Sequence, residues 1–125
     1  MPPFDWQDFL TLADHITTHS SLPAGHEEGK WRTAVSRAYY AAYHHALNKA
    51  ADSDASINRN YTKHECLIEW YKTQSRLPNA LEVGNLLNTL KTYRVRADYR
   101  ESYRISQGKA QRATFLAREI VRKLP

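Results

Sequence analysis

Apolar residues along the chain recur at i, i+3, i+4 and i+7, the spacing that lays a single stripe on an α-helix. The longest such stretch is Trp31–Ala50, WRTAVSRAYYAAYHHALNKA, whose stripe is Trp31, Ala34, Val35, Ala38, Tyr39, Ala42, Tyr43 and Ala46. At roughly 100° per residue, Arg37, Tyr40 and His44 fall together on the opposite side with Ala41 beside them. A face turned only to water rarely carries Tyr40, Ala41 and His44 together. Both faces of this helix are therefore expected to be covered, one by the bundle and the other by a second surface such as a second subunit.

Other stretches share the period. After an extended Pro2-Pro3 start, Asp5 is placed to cap a helix running to about His19, with Phe9, Leu12, Ala13 and Ile16 inward. Ser20-Ser21-Leu22-Pro23-Ala24-Gly25 breaks it, and the acids at Glu27 and Glu28 favour the start of the long second helix, which runs to about Ala51. A polar loop follows through Asn60. Thr62 and Glu65 match a capping box for a third helix with Leu67, Trp70 and Tyr71 inward, which Leu77-Pro78 ends. Asn79 and Glu82 repeat that pattern for a fourth, with Val83, Leu86, Leu87, Leu90, Tyr93 and Ala97 on its buried face. Ser102, Ser106 and Gly108 compete to start a last helix with the stripe Ala113, Leu116, Ala117, Ile120, Val121 and Leu124. No strand pattern or internal repeat occurs. The expected fold class is all-α, an antiparallel, up-and-down bundle of about five helices in which the second, fourth and fifth supply most of the core.

With 125 residues, 42% of them hydrophobic, the chain fits one compact domain over residues 1–125. The lone Cys66 excludes an intrachain disulfide, and no charged, apolar leader opens the sequence, which predicts a reducing, cytoplasmic setting. No apolar run nears the roughly 20 residues of a membrane span, so no membrane is expected. Net charge is +5, distributed unevenly: residues 1–90 hold 8 Lys/Arg against 10 Asp/Glu, and residues 91–125 hold 10 against 3. Such asymmetry suits an acidic partner, RNA or a nucleotide phosphate, although an arginine-rich solvated helix face has the same composition.

The candidate chemistry concentrates in Tyr93-Arg94-Val95-Arg96-Ala97-Asp98-Tyr99-Arg100. Arg94 and Asp98 stand at i, i+4 and can pair. Were helix to continue, Arg96, Arg100 and Arg104 would form one cationic stripe with Tyr99 and Tyr103 interleaved, a pattern suited to phosphate contact and base stacking and equally to a dimer interface. His15 and His19 have a metal-binding spacing but no third ligand nearby. His64-Glu65-Cys66 points its ligands different ways, and Ser106-Gln107-Gly108-Lys109 lacks the glycine spacing of a phosphate loop, so neither a metal nor a cofactor is expected.

Two motifs, Ser36-Arg37-Ala38-Tyr39-Tyr40-Ala41-Ala42-Tyr43-His44 and Arg94-Val95-Arg96-Ala97-Asp98-Tyr99, resemble the HEPN domain family, and the opening Phe4-Asp5-Trp6 with Phe9-Leu10-Thr11-Leu12-Ala13 is similar to a prokaryotic branch of it. The resemblance implies a small helical bundle that commonly dimerises and is often encoded beside a nucleotidyltransferase or within toxin–antitoxin and antiviral systems. Many members are metal-independent ribonucleases, carrying an Arg and a His separated by four to six residues. Here those positions after Arg94 hold Tyr99, Arg100 and Glu101, and no His follows His64.

Cleavage by attack of a ribose hydroxyl needs a group that exchanges protons near neutral pH, which His does and Arg or Tyr does not. A composite site would pair catalytic Arg94 with His44, or with His45, from the second helix. For either histidine, a hydrogen-bonded structural role is the plainer reading. Three functions follow as expectations. The first is a homodimeric, HEPN-like interaction module binding RNA, a nucleotide or a partner such as an antitoxin through Arg94, Arg96, Tyr99, Arg100, Arg37 and Tyr40 without cleaving it. The second is a divergent ribonuclease toxin using Arg94 and His44. The third is an accessory subunit of a nucleotidyltransferase.

Overall fold

The computed structural model describes residues 4–18 and 26–125. The Pro2-Pro3 start, the Ser20–Gly25 break and His19 of the His15/His19 pair lie outside these residues. Five helices follow in order: α1 (Gln7–Thr18), α2 (Glu27–Ser53), α3 (His64–Thr73), α4 (Ala80–Tyr99) and α5 (Gln107–Lys123). The described residues contain no strand, and the chain is an all-α bundle. None of the described helices is long and apolar enough to cross a membrane.

The stripe of α2 goes inward as its period requires, with Ala34, Val35, Ala38, Tyr39, Ala42, Tyr43 and Ala46 all buried and only Trp31 at the margin. Ala41, Leu47 and Ala50 are buried as well, so α2 is enclosed on more than one side. It packs on α1, α4 and α5. In α1 the inward residues are Leu10, Ala13 and Thr17, and Leu12 is 44% exposed. Of the expected inner stripe, Ala13 is buried and Phe9 and Ile16 pack against the core; only Leu12 is misplaced, because the face set against α2 and α5 passes through Leu10.

Contacts along each pair give the directions. Phe9 meets Arg37 and Trp6 meets His44, so α1 runs antiparallel to α2, and Tyr40 with Arg94 and Ser36 with Asp98 set α4 antiparallel to α2. α3 runs the same way as α2: His64 lies beside Tyr39 and Tyr43, whereas Trp70 bonds Asp54 and Tyr71 bonds the Ala46 carbonyl. The polar segment 54–63 makes this possible by returning along α2, where the Tyr43 hydroxyl donates to the Thr62 carbonyl and Arg59 pairs with Asp52.

Neither expected capping box forms. Lys63 and Asn79 occupy the N-cap positions of α3 and α4 without a side-chain bond to the helix. The Thr62 hydroxyl is drawn back to the Asn58 carbonyl, and Asn79 sits in the left-handed region at φ 63°, a conformation Asn tolerates better than most residues. Of the three competing starts for the last helix, Ser106 wins: its Oγ accepts the Lys109 amide at 3.2 Å. Helix α4 therefore ends at Tyr99, and the continuous Arg96/Arg100/Arg104 stripe does not form.

Candidate nucleic-acid interface

The two motif segments, far apart in sequence, meet across α2 and α4. Arg94 reaches from α4 and donates through Nη2 to the Tyr40 hydroxyl at 2.7 Å and the Tyr99 hydroxyl at 3.2 Å, and through Nε to Asp98 at 3.0 Å. Asp98 also accepts from the Ser36 hydroxyl at 3.3 Å, which in turn accepts from Arg37 at 3.2 Å. The Arg94 guanidinium lies 5.3 Å from the Tyr40 ring centre and 5.1 Å from that of Tyr99. Its side chain is only 14% exposed. Burial works against its charge, but Tyr40, Tyr99 and Asp98 more than offset this, so Arg94 is held as a cation. The i, i+4 pair expected between Arg94 and Asp98 forms, as one arm of a larger network.

The opposite face of α2 is covered in part from within the chain. The Trp6 indole stacks on His44 with ring centres 3.4 Å apart and planes 10° from parallel, and Arg37 lies over Phe9 at 4.6 Å. The cover that the Arg37/Tyr40/His44 face called for is supplied in part by the start of α1 and by Arg94. Burial first, and the nearby His64 second, push the His44 imidazole down to about 4. His45 is separate, its Nε2 against the Leu124 carbonyl at 2.7 Å, a structural tie between α2 and the end of α5.

His64 is the residue that sequence reasoning set aside. Its Nδ1 bonds the Tyr39 hydroxyl, and its ring stacks on Tyr43 at 4.2 Å, while Cys66 is exposed elsewhere on the helix. The Tyr39 ring centre lies 5.8 Å from the Arg94 guanidinium, so Arg94 and His64 share one tyrosine. Burial, then Arg94, then Lys91 hold His64 below its ordinary value, and burial pushes the Tyr39 hydroxyl up. Near neutral pH this cluster holds two neutral imidazoles and a fixed guanidinium.

Arg96 and Arg100 belong to a different surface. They line a cleft of about 460 Å³ along the outer side of α4, together with Lys91, Asn88, Thr92 and Tyr103. None of its lining residues is acidic; Glu65 reaches Lys91 from outside at 3.8 Å. Arg96 lies over the Tyr103 ring at 4.6 Å and donates to its hydroxyl at 3.2 Å. Three cations thus line one open groove. The residues expected to bind together are split into Arg94, Tyr40, Tyr99 and Arg37 on one side and Arg96 and Arg100 on the other.

Arg32, which no motif singled out, builds the end of α4. Its Nη1 donates to the carbonyls of Arg96 at 3.0 Å, Ala97 at 2.9 Å and Arg100 at 3.3 Å, and its Nη2 to that of Tyr103. Glu28 holds Arg32 at 2.9 Å and Arg104 at 2.9 Å and accepts the Ile105 amide. The Arg104 bond, the Ile105 amide and Arg32 keep the Glu28 carboxyl below its usual range. The only sequence signal was Glu28 four residues before Arg32, the favourable order for a helical ion pair.

A family model described as HEPN domain matches residues 24–124. Neither a curated protein nor a solved structure matches the chain.

Proposed function

Since the chain belongs to the HEPN domain family, we propose that it is a helical binding module that holds RNA by its phosphates in the α4 cleft and does not cleave it. The observation that carries this reading is the groove itself, where Arg96 and Arg100 converge beside a Lys91 that Glu65 holds from outside, with no acidic lining residue. Planar guanidinium groups grip phosphate oxygens in pairs, and a row of cations along a groove follows a sugar–phosphate backbone. Against cleavage stand the missing downstream His and the state of the two histidines near Arg94: an imidazole held at about 4 beneath Trp6 is a poor base and supplies no acid at neutral pH.

One observation favours a metal-independent ribonuclease instead, the single tyrosine shared by Arg94 and His64. Incubation with RNA in EDTA separates the two. Intact RNA retained by wild type, with retention lost on raising salt, supports the module; fragments that vanish in His64→Ala support the nuclease.

The toxin–antitoxin or defence setting, the homodimer and a nucleotidyltransferase or antitoxin partner belong to this proposal. Tyr40→Glu, compared with Tyr40→Phe by light scattering, tests the dimer contact at the Arg37/Tyr40/His44 face: a dimer for Phe and a monomer for Glu are expected, and a dimer in both removes the assignment.

A further inference from the structure

We propose that the RNA held by the α4 cleft is single-stranded and that one of its bases stacks on Tyr99. This rests on the reading of the cleft as a phosphate site and specifies which form of RNA it takes. Tyr99 is the last residue of α4 and is 67% exposed, yet its ring is tied down. Its hydroxyl accepts from Arg94 Nη2 at 3.2 Å, and the Arg94 guanidinium lies 5.1 Å from the ring centre. Tyr40 and Asp98 hold Arg94 from behind. An exposed ring braced from within by a buried cation has given up its rotamer freedom before a ligand arrives, so a base stacking on it meets a preorganised platform.

Tyr103, the aromatic residue inside the cleft, is unsuited to that role. Its ring carries Arg96 at 4.6 Å and Lys109 at 4.3 Å, which leaves little room for a base. The two tasks are divided accordingly: Arg96 and Arg100 for phosphate, Tyr99 for a base. Arg100 follows Tyr99 directly and borders the phosphate cleft, whereas Tyr99 borders a neighbouring cleft of about 530 Å³ lined also by Glu28, Asp98 and Glu101 beside Arg32 and Arg104, which suits a base there and keeps the phosphates on the Arg96/Arg100 side. A strand passing round the end of α4 meets both.

The carbonyl end of a helix ordinarily repels an anion. Here Arg32 occupies the carbonyls of Arg96, Ala97 and Arg100, so the end of α4 is made tolerant of phosphate. Strandedness follows from the same geometry. A duplex keeps its bases inside its own stack and offers the cleft only phosphates, whereas an unpaired base presents a face to a ring.

The test is fluorescence anisotropy with an end-labelled short oligoribonucleotide, alone and annealed to its complement, against wild type, Tyr99→Ala and Tyr99→Phe. The single strand is expected to bind wild type about tenfold tighter than the duplex, and Tyr99→Ala to lose about tenfold on the single strand alone. Tyr99→Phe, which keeps the ring but loses the hydroxyl that Arg94 holds, is expected to fall between wild type and Tyr99→Ala on the single strand. Equal affinities for both RNAs, unchanged in Tyr99→Ala but weakened by Arg96→Ala, overturn the stacking site and leave the phosphate cleft standing. Equal losses on both RNAs in Tyr99→Ala also overturn it, since the ring would then act through the fold. Failure of wild type to bind either RNA overturns the phosphate cleft as well.

Discussion

At the scale of single residues, the decisive facts are which side chains hold others in place. Arg32 satisfies carbonyls at the end of α4 and in the segment that follows, and in Arg32→Ala these lose a charged donor. The expected loss of stability is about 3 kcal/mol, visible as a thermal midpoint lowered by roughly 10 °C; an unchanged midpoint would show that water replaces the guanidinium. His44 makes a pH prediction. Its folded value of about 4 lies below the ordinary 6.5, so the native state holds it neutral and binds fewer protons than the unfolded chain. Its contribution is complete above about pH 6.5 and is lost as pH falls toward 4. The His44 ring signals should titrate near pH 4 by NMR, and a midpoint near 6.5 would contradict the Trp6 stack. Much of this was hidden from the sequence. Arg94, Tyr40 and Asp98 were legible because their motifs are distinctive, but His64 was not: its partner Tyr39 stands 25 positions earlier, and only the return of segment 54–63 brings them together.

At the scale of elements, periodicity performs well where a helix has one buried face and less well where cover is shared. The stripes of α2, α4 and α5 are found inward, and that of α1 is inward except at Leu12, whose place is taken by Leu10. Ends were harder to read. A capping box is a local pattern, and at Thr62 and Asn79 the loop geometry takes the side chains elsewhere. The α3–α4 contact depends on Gly84, which no periodicity argument selects: a Cβ there would lie 2.7 Å from Lys72 Cγ and 3.3 Å from the Ile68 carbonyl. Gly84→Leu is expected to cost about 3 kcal/mol through overpacking, measured by urea denaturation, and a loss below 1 kcal/mol would mean, on the same scale, that the two helices separate easily. The connector after α4 has its own signature. Glu28 binds Arg104, Ile105 and Arg32 only as a carboxylate, and its lowered value places that contribution above the ordinary carboxylate range, to be lost on further acidification. Protection of the Tyr103 and Ile105 amides, taken relative to the intrinsic exchange rate at each pH, should fall at low pH in wild type and already at neutral pH in Glu28→Gln.

At the scale of the whole molecule, the charge asymmetry of the sequence is partly spent on the fold. Among the described residues, Lys91, Arg104, Arg118 and Lys123 pair with Glu65, Glu28, Asp14 and Glu82, tying the basic C-terminal third to the more acidic remainder. What the pairing leaves facing outward along α4 is the groove of Arg96 and Arg100. Arg96 and Arg100 were grouped with Arg94 on one binding surface, yet residues two apart on a helix stand about 200° apart, so within α4 Arg94 turns into the braced cluster and Arg96 into the open cleft. The most direct measurement is RNA binding and integrity together: labelled single-stranded RNA incubated in EDTA with wild type, Arg96→Ala and Arg94→Ala, across a salt series. The account predicts intact RNA, retention that weakens as salt rises, and for Arg96→Ala a lower affinity with a salt slope reduced by about 0.7, the loss of one phosphate contact. RNA cut by wild type and spared by Arg94→Ala, or RNA not retained at low salt, would contradict it.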